Sequence, residues 1–232
     1  MKTANINTIQ SFCMNLKKYC ISEADDEKYV YCFRGHKSTD FKYIPSILRE
    51  GNEKYLEHIE EIQKEVINRY PEKFNSFENL TSEDIALMQH YGIVTHYLDI
   101  TFNPFVALFF ASESLRRADK IALDGEVAII KVPKENVVFS EKEISDKNSN
   151  GTYLIKSSLN NPRIKAQNGA FLKFLDETKE IPEDWFVLKT KIANSKKKQL
   201  RKELAIMNIT ESTLFPELEN FSSEIKRKYL TK

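Results

Sequence analysis

The chain has 232 residues, of which 41% are hydrophobic and 30% are charged, so it can bury a globular core. Its 35 Lys and Arg residues nearly balance 34 Asp and Glu, and the net charge of +1 excludes a global attraction to nucleic acid or to a membrane. Cys13, Cys20 and Cys32 lack the CxxC spacing of a zinc or redox site, and no apolar run reaches membrane-spanning length. We therefore expect a cytoplasmic protein with reduced thiols, no membrane partner and no metal site.

Helical and strand patterns alternate through the first part of the chain. Apolar residues at helical spacing predict a helix over Asn7–Tyr19. Strict alternation predicts a strand over Lys28–Arg34 that stops at Gly35. Two further amphipathic helices are predicted over Tyr55–Tyr70 and about Ser82–Tyr91.

A strand, a sharp turn and a capped helix follow. The strand runs over Val94–Thr101, and its alternation places Asp99 and Thr101 together on the polar face. Asn103 is a natural N-cap, and Pro104 fits the first helical position. The free N–H groups at the helix start make this corner attractive to an anionic ligand.

Strand patterns dominate the next region. Glu126–Val132 and Trp185–Ile192 are rich in β-formers and predict strands. Arg163–Gln167 and Phe171–Leu175 flank Asn168-Gly169, a dipeptide that favours tight turns, and together they predict a β-hairpin.

Helices are predicted again near the C-terminus, as a basic one over Lys196–Met207 and an amphipathic one over Leu218–Tyr229. The basic run can meet phosphates, but Glu203 and the near-neutral net charge favour a solvated helix face. Strands interleaved with helices predict an α+β fold in a single domain. We expect residues 1–232 to form that domain, with a core over about 28–192, a helical insertion over about 53–91 and a C-terminal helical segment over about 194–232.

Several sequence blocks resemble one known family, the FRG domain. They are Phe33-Arg34-Gly35, Leu87 to Gly92, Leu98 to Ala111, and Arg163 to Phe171. Their order and spacing fit the family, and the resemblance extends from about Tyr29 to the C-terminus.

A more distant likeness is to the ADP-ribosyltransferase core, in which an Arg-Gly pair ends one strand and a polar strand leads into a Pro-containing helix. The likeness implies a mixed or antiparallel sheet with flanking N-terminal and C-terminal helices, and NAD as substrate or ligand. This likeness implies that Arg34 binds the NAD phosphates or the adjoining ribose, and that Asp99 and Thr101 shape the nicotinamide pocket. Gln167 falls where active transferases carry Glu, so these four residues are the candidate catalytic set.

The same likeness implies a wider nucleotide-binding set around Arg34, made of Gly35, His90, Tyr91, Tyr97 and Asn103. The two tyrosines offer rings that can stack on nicotinamide or adenine. Structural roles compete with these assignments, because a strand-end arginine often pairs with a carboxylate and buried tyrosines often only pack.

Three functions follow from these residues. The first is binding of NAD or another nucleotide, with transfer of ADP-ribose or cleavage of NAD. The second is a non-catalytic module that senses a nucleotide or docks a partner, because Gln167 lacks the charge of a glutamate. The third, which the resemblance to the family implies, is a nucleic-acid-directed toxin or phage-defence effector. Whether the acceptor is protein or nucleic acid, and the oligomeric state, stay open.

Overall fold

The computed structural model describes residues 2–21, 27–146, 151–156, 161–175 and 180–216. Within this part of the chain eight strands form one mixed sheet, in the order β1-β8-β4-β2-β3-β7-β6-β5. The strands are β1 (Thr3–Ile6), β2 (Tyr29–His36), β3 (Tyr97–Thr101), β4 (Gly125–Pro133), β5 (Val137–Val138), β6 (Thr152–Ile155), β7 (Gly169–Phe174) and β8 (Phe186–Ile192). The pairs β1–β8 and β5–β6 are parallel and the other neighbours are antiparallel. The predicted α+β fold with a mixed sheet is confirmed.

Helices flank this sheet. They are α1 (Ile9–Cys20), α2 (Glu53–Glu57), α3 (Ile59–Arg69), α4 (Ser82–His90), α5 (Pro104–Ala111), α6 (Glu141–Asp146), α7 (Pro162–Ala166), α8 (Asn194–Ile206) and α9 (Glu211–Leu214), with single 3-10 turns at 46–48, 77–79, 134–136 and 183–185. Among the helices described, none combines the length and the apolar character needed to cross a membrane.

Most predicted elements of the first half are confirmed with shifted ends. Helix α1 begins after Thr8, whose hydroxyl accepts a hydrogen bond from the Ser11 N–H at 3.2 Å. The helix expected over Tyr55–Tyr70 is broken at His58 into α2 and α3. Strand β1 was not predicted, because four residues are too few to show alternation.

The predicted hairpin around Asn168-Gly169 is wrong, because its first arm is helix α7. The Asn161 side chain accepts hydrogen bonds from the N–H groups of Arg163 and Ile164 at 2.9 and 3.2 Å, and Pro162 occupies the first helical turn. Asn161-Pro162 is the same start signal as the pair that begins α5. Asn168, at φ 46°, then turns the chain from α7 into β7.

The last predicted helix, over Leu218–Tyr229, lies outside the described residues. Before it the structure contains the short helix α9, which was not predicted. Its N-cap is Thr210, whose hydroxyl accepts from the Thr213 N–H at 3.3 Å.

The hydrophobic core occupies both faces of the sheet. On one face α1, α5 and α8 bury residues such as Phe12, Val106 and Leu200. On the other, Leu98 and Ile100 of β3 join a second apolar cluster. The strand predicted over 94–101 is observed over Tyr97–Thr101, and its apolar face is buried as predicted. On the opposite face Tyr97 and Thr101 are buried as well, which leaves Asp99 as the exposed residue of β3.

Helix α5 lies unusually close to the sheet, and two glycines allow this approach. A Cβ atom on Gly35 would stand 1.8 Å from the Ala107 carbonyl oxygen, and one on Gly125 would stand 2.0 Å from that of Ala111. Only a residue without a side chain fits at either position, so β2 and β4 fix the height of α5 above the sheet.

We expect Gly35→Ala to lower the free energy of unfolding by about 1–3 kcal/mol, since the added methyl group must push α5 away. Urea denaturation measures the loss. Gly169→Ala is the matched control, because its new Cβ would lie 3.4 Å from the nearest atom and should cost far less. Equal midpoints for the two variants would contradict this interpretation.

Candidate functional site

A pocket opens where β2 and β3 separate. Phe33 opposite Thr101 is the one register pair between these two fully described strands, whereas β2 pairs with β4 over its whole length. The cleft beside that single pair has a volume of about 320 Å³. It is lined by three consecutive residues of β2 and three of β3, and by parts of α4, α7 and β7.

Arg34 bridges the two separating strands. Its Nε donates a hydrogen bond to His36 Nε2 at 2.9 Å, and its Nη1 donates to the backbone carbonyl of Asp99. The same Nη1 lies 3.9 Å from Asp99 Oδ2, and the Arg34 side chain is only 14% exposed. Burial lowers the pKa of Arg34 and the Asp99 carboxylate opposes this effect, but a guanidinium keeps its proton. The cleft therefore holds a fixed positive charge.

His36 orients Arg34 from the same face of β2, two residues along the strand. Its ring stacks on Tyr43, with centroids 4.3 Å apart, and the Tyr43 hydroxyl donates to Glu126 Oε1 at 2.6 Å. Burial, aided by the Arg34 charge, lowers the pKa of His36 to about 3. The imidazole is therefore neutral near pH 7 and can accept the Arg34 hydrogen bond.

Asp99 is held but accessible. Its Oδ1 accepts a hydrogen bond from Gln89 Nε2 at 2.6 Å, and Gln89 in turn accepts from the Thr95 hydroxyl. The Asp99 side chain is nevertheless 61% exposed. This combination gives the cleft an oriented carboxylate that a ligand can reach.

Thr101 and Gln167 line the cleft but use their polar atoms to brace the backbone. The Thr101 hydroxyl donates to the Gln167 carbonyl at 2.6 Å and accepts from the Asn103 N–H at 3.0 Å. The Gln167 amide nitrogen donates to the Leu214 carbonyl at 3.1 Å. The bonds from Thr101 to the Gln167 carbonyl and from Gln167 to the Leu214 carbonyl join segments that are distant in the sequence.

Arg163 and Gln89 also line the cleft, although sequence reasoning selected neither. Arg163 lies on α7, and its Nη1 is 2.8 Å from His90 Nδ1. The Asn161-Pro162 helix start is the signal that could have identified Arg163, because a side chain on a helix has a different direction from one on the predicted hairpin strand.

The predicted nucleotide-binding residues divide into two groups. Gly35 and His90 line the cleft. Tyr91, Tyr97 and Asn103 do not: the Tyr91 side chain projects into solvent at 60% exposure, Tyr97 is 2% exposed and stacks on a core phenylalanine, and the Asn103 side chain caps α5. Burial, aided by Glu141, raises the pKa of the Tyr97 hydroxyl, and the ring packs in the core.

The basic run of α8 is not a continuous cationic face. Lys197 is 1% exposed, and its ammonium donates to the carbonyls of Lys37 and Glu113 at 2.7 and 3.0 Å. The Arg201 guanidinium lies 3.6 Å from the centroid of the Phe109 ring. Both side chains contact other parts of the fold, so fewer cations of this run are available to a nucleic acid than the sequence suggests.

In a comparison with protein families, residues 29–120 of this chain match the model of the FRG domain. The match includes Arg34, Gln89, Asp99 and Thr101 and supports the predicted FRG resemblance over this segment. Comparison with curated proteins and with solved structures returns no significant match.

The buried histidine predicts a specific pH dependence. His36 binds a proton below pH 6.5 when unfolded but only near pH 3 when folded, so its contribution to stability is complete above pH 6.5 and is lost as the pH falls. At pH 5 the loss is about 2 kcal/mol. His36→Gln should remove this part of the slope in urea titrations between pH 7 and pH 5.

His58→Gln is the matched control, because the His58 side chain is 57% exposed. It should keep the slope of the original protein. If both variants keep that slope, His36 does not stay neutral in the folded state.

Proposed function

We propose that the cleft between β2 and β3 binds a nucleotide, with NAD as the leading candidate. The observation that carries the proposal is the fixed guanidinium of Arg34 at the point where the sheet opens. Its bonds to His36 and Asp99 engage two of its five N–H donors. The others suit oxygen atoms of a phosphate or of the adjoining ribose.

The apolar lining supports a ligand that carries rings. Phe33, Ile100, Phe110 and Phe171 face the cleft together with the polar groups. Small-molecule sites commonly combine such apolar walls with a few fixed polar groups. A nicotinamide or adenine ring gains from burial against these side chains, while its sugar and phosphates need the charged groups.

ADP-ribose transfer is the finer part of the proposal, and it rests on Asp99. Breaking the bond between ribose and nicotinamide develops positive charge on the sugar, which a nearby carboxylate stabilises. Asp99 is the carboxylate that lines the cleft among the described residues, and Gln89 orients it. Gln167 is neutral and donates to Leu214, so it cannot supply this charge.

A non-catalytic nucleotide-binding module is the second candidate. It is favoured by the hydrogen bonds of Thr101 and Gln167, which commit both side chains to backbone carbonyls rather than to a ligand. Such a site binds the nucleotide and couples it to the segments that Gln167 joins.

We expect Arg34→Lys to weaken NAD binding about tenfold or more, because lysine lacks the planar set of donors that suits phosphate or ribose oxygens while also bonding His36 and Asp99. Calorimetric titration of NAD measures the effect. Arg117→Lys, at an arginine whose side chain is 51% exposed, should bind like the original protein. Undiminished binding by Arg34→Lys at an unchanged fold would place the ligand elsewhere.

A second variant separates catalysis from binding. Asp99→Asn keeps an oxygen for Gln89 but removes the charge, so we expect NAD affinity within about threefold and release of nicotinamide reduced about tenfold or more. Mass spectrometry of the titrated samples measures nicotinamide. Binding without any release by the original protein supports the non-catalytic module instead.

A further inference from the structure

A second arginine, Arg163, lines the same cleft from helix α7. It lies 129 positions beyond Arg34 in the sequence, and the turn at Asn168 brings α7 against the strands of the cleft. None of the roles assigned above uses its charge.

The guanidinium of Arg163 is held on two sides. Its carbon lies 4.6 Å from the centroid of the Phe215 ring, and its Nη1 donates to His90 Nδ1 at 2.8 Å. Stacking on an aromatic ring leaves the edge of a guanidinium open for donating hydrogen bonds in its own plane. Arg163 is therefore oriented before a ligand arrives.

The charge of Arg163 has no carboxylate beside it within the described ranges. None of their Asp or Glu oxygens lies within 4.0 Å of it, whereas Arg34 has Asp99 Oδ2 at 3.9 Å. Of the two arginines in the cleft, Arg163 is thus the better anion receptor, because a ligand anion meets no competing carboxylate there.

The C-terminal end of α4 contacts both Asp99 and Arg163. Gln89 turns to Asp99, and its neighbour His90 turns to Arg163. One helical turn thus supports a carboxylate suited to a sugar and a guanidinium suited to a phosphate.

We infer that Arg163, oriented by His90 and Phe215, forms an anion subsite that receives the diphosphate of the ligand and directs its sugar toward Asp99 and Gln89. This rests on the proposed function and deepens it. It assigns the diphosphate to Arg163 and leaves Arg34 to the adjoining ribose. The ligand class is then a nucleoside diphosphate derivative, and a nucleoside without phosphate should bind weakly.

The test titrates inorganic pyrophosphate, ADP-ribose and adenosine into the full chain and into three variants. Arg163→Gln removes the charge, and Arg163→Lys restores it without the planar group. Lys165→Gln is the matched control, because Lys165 is an exposed cation on the same helix. Thermal unfolding of each variant sets a titration temperature at which all are folded.

The expected result is binding of pyrophosphate and ADP-ribose that falls tenfold or more in Arg163→Gln, recovers in part in Arg163→Lys and is unchanged in Lys165→Gln. Adenosine should bind the original protein at least tenfold more weakly than ADP-ribose. Unchanged ADP-ribose binding in Arg163→Gln would overturn the subsite and leave the proposed function standing. Pyrophosphate binding that depends on Arg163, without nucleotide binding, would support the subsite and overturn the proposed function. Absence of all binding would overturn both.

Discussion

Arg34 crosses the gap between β2 and β3, and the shape of the cleft depends on that bridge. Two neighbouring strands normally hold each other through a ladder of backbone hydrogen bonds, but here the ladder ends after Phe33 and Thr101. The guanidinium replaces part of it by donating to the Asp99 carbonyl. The Arg34 side chain occupies the gap between the strands and also links them through its hydrogen bond. The gap therefore offers a ligand both space and a positive charge.

Side chains and backbone behind this bridge are closely packed. The His36 ring stacks on Tyr43, and the Tyr43 hydroxyl donates a hydrogen bond to Glu126 on the adjacent strand β4. On the opposite face α5 rests directly on Gly35. The guanidinium is therefore held by His36 and the Asp99 carbonyl, while α5 packs against the adjoining backbone, and such support before binding favours affinity.

Local sequence signals predicted the elements well and the assembly of the cleft only in part. The start of α5 followed from Asn103 and Pro104, since a side-chain cap and a fixed φ act within one turn. The same pair, Asn161-Pro162, starts α7, but the turn preference of Asn168-Gly169 favoured a hairpin in the prediction. No local pattern could show that Gln89 would reach Asp99, because the contact depends on how α4 packs.

Burial separated residues that look alike in sequence. Tyr91 and Tyr97 have the same aromatic chemistry, yet one lies in solvent and the other in the core. Lys197 stands in a basic run and is enclosed, while Lys198 beside it is exposed. Such differences follow from the packing of β3, α4 and α8, which composition does not record.

The order of strands also bears on what the FRG-matched segment is by itself. Residues 29–120 contain β2 and β3, but the long partners of these strands, β4 and β7, both lie beyond residue 120. Cut at the limits of the match, the segment would keep two strands joined by a single register pair, each with an open edge toward solvent. The matched segment therefore supplies the two strands that border the cleft without being an autonomous folding unit, and the part of the lining on α7 and β7 comes from later in the chain.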